Sequence, residues 1–326
     1  MQTDRTVLVT GAGGFIGGHL VARLLAEGRR VRAIDVKPLK RWYQHHEAAE
    51  NVVADLRHRV ACEHAIVEVG AVYHLASDMG GMGFIEGNKW ACMVNVLIDT
   101  HLLDALRNHE LEAFFYASTA CVYPAGLQDE TEALGLREAD AYPADPEDGY
   151  GWQKLFAERL CLNHRDDFGT PIRVGRYHNV YGPKGTWRGG REKAPAAICR
   201  KVAEAVLTGR HEIDIWGDGE QTRSFMFVDD GIEGTRRLTN SNVTTPLNIG
   251  SSEMVTINGL VDIVSTIAGV DLERTHDLSA PQGVRGRNSD NTLIKAELGW
   301  SPSIPLRAGL ERTYEWIFDR VAENRA

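Results

Sequence analysis

Short runs of β-branched and apolar residues recur along the first half of the chain, each stopping at a glycine or a polar residue and each followed by apolar positions at helical spacing. Residues 6–10 are the first such run; it ends at Gly11, and beyond the turn Ile16, Leu20, Leu24 and Leu25 share one helical face as far as Gly28. A second strand over 31–34 is closed by Asp35. Further strands are predicted over 52–55, 71–76, 114–118 and 172–176, with helices over 95–107 and 150–164 between them. Such alternation implies an α/β fold of Rossmann type, a doubly wound parallel sheet with right-handed crossovers.

The rhythm changes after about residue 180. A Gly/Pro/Lys/Arg-rich loop spans 181–195, a helix is predicted over 196–207 and a short strand over 213–216. The apolar 225–228 reads as a return to the main sheet, and 293–310 as a helix-rich end. The expected division is a Rossmann domain from 1–178 with 223–248, and a smaller C-terminal substrate-binding domain from 179–222 with 249–326. No low-complexity linker intervenes, so the two are expected to pack around a cleft. The stretch holding Trp42, His45 and His46 reads as a solvated loop.

Composition narrows the function. A length of 326 residues suits about two domains of ~150 residues. Net charge is 36 − 45 = −9, which repels a phosphate backbone, so nucleic acid is not an expected partner. No run reaches the ~18 apolar residues of a spanning helix, and the first strand follows with no signal-peptide layout; a cytoplasmic protein without a membrane partner is expected. Five cysteines at 62, 92, 121, 161 and 199 form no C-x-x-C pair, which favours free thiols in a reducing compartment and no metal site.

The glycines at 11, 14 and 17 have a chemical use: the first permits a tight turn, the second admits a pyrophosphate, and the third lets helix and strand pack closely. The anion then sits on a helix N-terminus. Asp35, 35 − 11 = 24 residues beyond Gly11, is placed to accept from the adenosine ribose hydroxyls and to repel a 2′-phosphate, so NAD is favoured over NADP. The expected cofactor site is Gly11, Gly14, Phe15, Ile16 and Gly17 with Asp35, Asp55 toward the adenine, and Leu75. Tyr150 and Lys154 stand one helical turn apart, a phenol beside an ammonium that favours phenolate and so makes a base for a substrate hydroxyl. Ser118 and Thr119 close a strand and add a hydroxyl to the set.

Thr10-Gly-Ala-Gly-Gly-Phe-Ile-Gly17, Ser118-Thr119 and Tyr150-Gly-Trp-Gln-Lys154 resemble the extended short-chain dehydrogenase/reductase family of NAD-dependent nucleotide-sugar epimerases and dehydratases. More narrowly, the runs 78–85, 116–124, 185–195, 216–225 and 283–290 are similar to the members that invert GDP-mannose at C3 and C5. The resemblance implies a homodimer built on 95–107 and 150–164, and a GDP-mannose-type nucleotide sugar as substrate. It implies Tyr150 as the acid/base of the hydride step with Lys154 holding it, Thr119 in place of the usual serine at the 4-hydroxyl, and Cys121 with Lys193 as the epimerising pair. Asn179, Lys201, Gln221, Thr222, Arg223 and Arg287 match positions toward the nucleotide diphosphate; Gly80, Ala120, Glu192 and Ala194 match positions near the sugar.

Residues 184–201 carry six cations against Glu192, 6 − 1 = +5, which suits a diphosphate. The dehydratases of the family carry an aspartate and a glutamate after the catalytic threonine, whereas Ala120 and Cys121 stand here, so dehydration loses its acid while epimerisation keeps a proton carrier. The alternatives are an epimerase that inverts one centre of GDP-mannose or acts on another nucleotide sugar, and a dinucleotide sensor without catalysis, which the intact Tyr/Lys/hydroxyl set opposes.

Overall fold

The computed structural model describes residues 5–132 and 134–325. The chain runs β1 (Thr6–Thr10), α1 (Phe15–Ala26), β2 (Val31–Asp35), β3 (Glu50–Val53), α2 (Arg59–Ala65), β4 (Val69–His74), α3 (Met82–Gly87), α4 (Lys89–Met93), α5 (Val96–Leu106), β5 (Ala113–Thr119), α6 (Asp148–Phe168) and β6 (Ile172–Tyr177). It continues through β7 (Asn179–Tyr181), α7 (Ala194–Thr208), β8 (Glu212–Trp216), β9 (Thr222–Phe227), α8 (Val228–Thr239), β10 (Leu247–Ile249), β11 (Met254–Thr256), α9 (Ile257–Ala268), β12 (Glu273–Asp277), β13 (Gly286–Arg287), α10 (Thr292–Leu298) and α11 (Leu306–Glu323).

A seven-stranded sheet in the order β10-β6-β5-β4-β1-β2-β3 is parallel throughout. Alternation along its strands divides the core in two. Val7, Val9, Tyr73 and Phe115 face one layer, which includes α1. Leu8, Val72, Phe114 and Tyr116 face the other, with α2, α5 and α6. Both faces are covered, so β1 and β4 are buried along their whole length and read as continuous apolar runs.

One expected strand lies elsewhere. The run 225–228 does not return to the main sheet: β9 pairs with β11, β13 and β7 in a four-stranded sheet, Val228 opens α8, and β10 supplies the last main-sheet strand beside β6. Phe225, Met226 and Phe227 are buried in either arrangement, so an apolar run alone does not tell which sheet receives it. Trp42 also departs from expectation. It is 8% exposed, its indole fills the space beside Gly13, and its Nε1–H donates to the Lys37 carbonyl at 2.8 Å. Among the described residues no helix is long and apolar enough to cross a membrane.

Candidate active site

The carboxyl ends of β1, β4 and β5, with β7 beyond β6, converge on one side of the sheet, where an open α/β fold binds its ligands. At the end of β1 Gly11 has φ +70°, and a Cβ there would meet the Leu75 and Ala76 backbone at 2.9 Å. A Cβ on Gly17 would sit 2.3 Å from the Gly11 carbonyl oxygen. Gly14 caps α1 without a side chain, which leaves a bare helix N-terminus facing the turn. Phe15 and Ile16 are half-buried and pack against the core, and their backbone N–H groups belong to the first turn of α1.

Asp35 ends β2 and is 8% exposed; its Oδ1 accepts from the Lys37 N–H at 2.9 Å. Lys37 itself passes unnoticed in the sequence. Its ammonium donates to the Gly13 carbonyl at 2.7 Å and stands 3.9 Å from Asp35 Oδ2, so the carboxylate meant to repel a 2′-phosphate has a cation beside it. Asp55 lies past the end of β3 with its carboxylate held by Arg57 at 2.6 Å, an engagement that lowers its pKa. A cradle that only glycine can line, a bare helix terminus and a buried acid at the end of β2 fit a dinucleotide.

Tyr150, on the first turn of α6, is 5% exposed beneath the 3-10 turn Ala120–Val122 that follows β5. Gly151 is what allows this approach, because a Cβ there would lie 2.2 Å from the Cys121 carbonyl. The expectation that Lys154 dominates the phenol is not met: burial pushes Tyr150 well above its ordinary value, the Cys121 charge pushes it further, and the Thr119 hydroxyl draws it back. Lys154 is itself buried, donates to the Ala117 carbonyl at 3.0 Å and lies 4.8 Å above the Tyr116 ring; burial lowers its pKa and the Asp99 charge opposes that.

Thr119 closes β5, and its hydroxyl accepts from the Cys121 N–H at 3.2 Å. Cys121 is 8% exposed and packs with Ile85, Cys92 and Tyr150. Lys193 caps α7, its pKa lowered by burial and raised in part by Cys121, so the thiol and the amine feel one another. Arg287 is found beside the thiol, its Nη1 3.6 Å from Cys121 Sγ, with its Nε donating to Gln128 at 2.6 Å and its other arm on Glu147. Glu147 and Gln128 were not legible in the sequence: Gln128 reaches the site through Arg287, and Glu147 through Arg287 and through its own N–H, which donates to the Cys121 carbonyl at 3.1 Å.

Around this centre Arg223 is held by the Val284 and Thr222 carbonyls at 2.6 and 2.7 Å, its pKa lowered to about 10 by burial. Gln221 donates to the Trp216 carbonyl and keeps a buried acceptor unpaired. Asn179 donates to the Ser224 carbonyl, and Thr222 to the Thr131 carbonyl. Gly81 lies against the loop that carries Glu192 and leads into Ala194, the first residue of α7, and its N–H donates to the Arg191 carbonyl at 3.1 Å; a Cβ on Gly80 would meet Phe84. The positive excess of that loop is partly spent, with Arg191 on Asp78, Arg200 on Glu192 and Glu204, and Lys201 on Asp214. Lys201 therefore stands in an ion pair at 2.6 Å.

Residues 7–250 match the model of the NAD dependent epimerase/dehydratase family. The chain is 47% identical over 320 residues to GDP-mannose 3,5-epimerase 1 of Oryza sativa subsp. indica, covering 98% of this chain and 83% of that protein. To GDP-mannose 3,5-epimerase of Arabidopsis thaliana it is 46% identical over 321 residues, 98% of this chain and 84% of the other. Among solved structures, UDP-glucuronic acid 4-epimerase from Bacillus cereus, in complex with UDP-glucuronic acid and NAD, superposes with a TM-score of 0.80 at 27% identity, over 97% of this chain and 99% of that one.

Proposed function

The chain belongs to the NAD dependent epimerase/dehydratase family, and from that premise we propose that it is a GDP-mannose 3,5-epimerase, converting GDP-D-mannose to GDP-L-galactose with GDP-L-gulose as the partly inverted product. The observation that carries the reading is the cluster at the end of β5, where Thr119, Cys121 and Tyr150 meet Lys193 from α7.

Gly11, Gly14 and Gly17 would hold the pyrophosphate of NAD, Asp35 its adenosine ribose and Lys154 its nicotinamide ribose. When bound, NAD accepts the C4 hydride and later returns it. Tyr150 takes the C4 hydroxyl proton while Thr119 orients that oxygen, which leaves a ketone that acidifies C3–H and C5–H together. Cys121 and Lys193, carried on separate elements, remove a proton from one face of the carbon and supply one to the other. Tyr150 finally gives its proton back as C4 is reduced, so nothing is consumed. Ala120 in place of an acid leaves water loss unassisted.

Arg223, Gln221, Asn179, Lys201 and Thr222 serve the nucleotide diphosphate in this reading, and Arg287 joins them from beside the thiol. The homodimer would use Leu97 of α5 with Trp152 and Phe156 of α6, which are 42%, 47% and 53% exposed. The last two lie one turn apart on a single face. Incubation of the purified protein with GDP-D-mannose and NAD is expected to yield GDP-L-galactose by chromatography; turnover only of a UDP- or dTDP-sugar would overturn the substrate assignment.

A further inference from the structure

We propose that Asp99 is a positioning residue for the catalytic lysine: its buried carboxylate is the counter-charge that keeps Lys154 an ammonium, held in place by His74 and Gln153. Lys154 is 3% exposed, and among the described residues no carboxylate lies within ion-pair distance of its Nζ. An ammonium so deeply buried needs a compensating charge nearby. Three acidic groups bear on it: Asp99, Cys161 and Glu158. Glu158 is spent on Arg176 at 2.7 Å, and the Cys161 thiol is pushed well above its ordinary value by burial, so it carries no charge. Asp99 remains.

The hydrogen bonds around Asp99 come from His74 and Gln153, which leaves its carboxyl without a Lys or Arg partner among the described residues. Thr10 Oγ1 accepts from the Leu75 and Ala76 N–H groups, each at 3.1 Å, and has one hydrogen left for His74 Nδ1 at 2.7 Å. That accounting assigns the remaining ring hydrogen to Nε2, which donates to Asp99 Oδ1 at 2.8 Å. Gln153, beside Lys154 on α6, donates to Oδ2 at 2.5 Å. Asp99 is 1% exposed, and among the described residues no lysine or arginine stands at ion-pair distance from either of its oxygens. Among the influences on Lys154 its charge is the foremost that raises the pKa against burial. The groups facing this centre are His74 from β4, Tyr116 from β5, and Tyr150, Cys161 and Glu158 from α6, with Cys92 and Cys121 acting on Tyr150. The same chain of bonds links the end of β1, where the glycine turn begins, to the helix that carries both catalytic groups.

The inference rests on the proposed function for its kinetic arm only. In protein saturated with NAD and labelled with 13Cε-lysine, the Lys154 signal, identified by its loss in Lys154→Met, is followed against pH. Asp99→Asn is expected to move its midpoint to lower pH, and Asp99→Glu to return it. With GDP-mannose, the alkaline limb of kcat in Asp99→Asn should move the same way, with kcat at neutral pH falling roughly tenfold or more. A midpoint that coincides with wild type, even with kcat reduced, would overturn the proposal and make Asp99 a packing residue. Should Asp99→Asn not fold, Asp99→Ser removes the same charge and is read identically. A wild-type protein inactive on GDP-mannose would count against the substrate assignment, and the lysine titration would still decide the role of Asp99.

Discussion

At Tyr150, burial and the proposed catalysis pull in opposite directions: as the base the phenol would surrender a proton, and its surroundings hold that proton on. The group that favours phenolate is the Thr119 hydroxyl; the proposed role of Lys154, one turn along α6, needs its ammonium kept charged in a dry site. Tyr150→Phe is therefore expected to abolish C4 oxidation and with it all exchange of substrate hydrogen, while NAD remains bound; residual exchange would exclude it as the base. Cys121→Ser and Lys193→Ala should leave C4 oxidation measurable and cut inversion by about a hundredfold or more. Burial lowers the Lys193 pKa, so its neutral, proton-accepting form appears at lower pH than the ordinary 10.5. Hydrogen exchange catalysed through it should reach its plateau below that value, and a limb that still rises above 10.5 would assign the base elsewhere.

The elements differ in how plainly the sequence announces them. β1, α1 and β2 were legible because an apolar run, a glycine turn and a terminal acid each have a physical cause. β9 was not, because three buried apolar residues in a row suit any sheet. Trp42 was read as solvated because nothing around it signals that Gly13 leaves room for an indole. Asp99, Glu147 and Gln128 act through partners 25 to 159 positions away, a proximity that only the packing of α5, α6 and β4 or the approach of β13 creates. Tyr150, Lys154 and Cys121 were legible as types, whereas the raised phenol was not, since burial is a property of the folded chain. Gly151→Ala tests the element geometry: its new Cβ would press on the Cys121 carbonyl, so turnover should fall with NAD affinity preserved. Loss of NAD binding there would show that the two elements are not separable.

Across the molecule, two core layers lie on the two faces of the sheet, and the buried Arg176–Glu158 pair braces its β6 side against α6. Glu158→Gln leaves a guanidinium buried and unpaired, which should cost about 3–5 kcal/mol of unfolding free energy by denaturant titration. A change under about 1 kcal/mol would mean the pair is not structural. Phe156→Arg, on the exposed face of α6, should give a monomer in sedimentation if that face joins two copies; an unchanged mass would place the contact elsewhere.

The central claim is that one site oxidises C4 and carries protons at both neighbouring carbons. Its most direct test is to incubate the protein with GDP-mannose and NAD in deuterated water and to follow the sugar by NMR. Deuterium is expected at C3 and C5, protium is retained at C4 because the hydride returns there, and GDP-L-galactose is expected among the products. Deuterium at C5 alone with GDP-L-gulose as sole product, or none at either carbon, would contradict it.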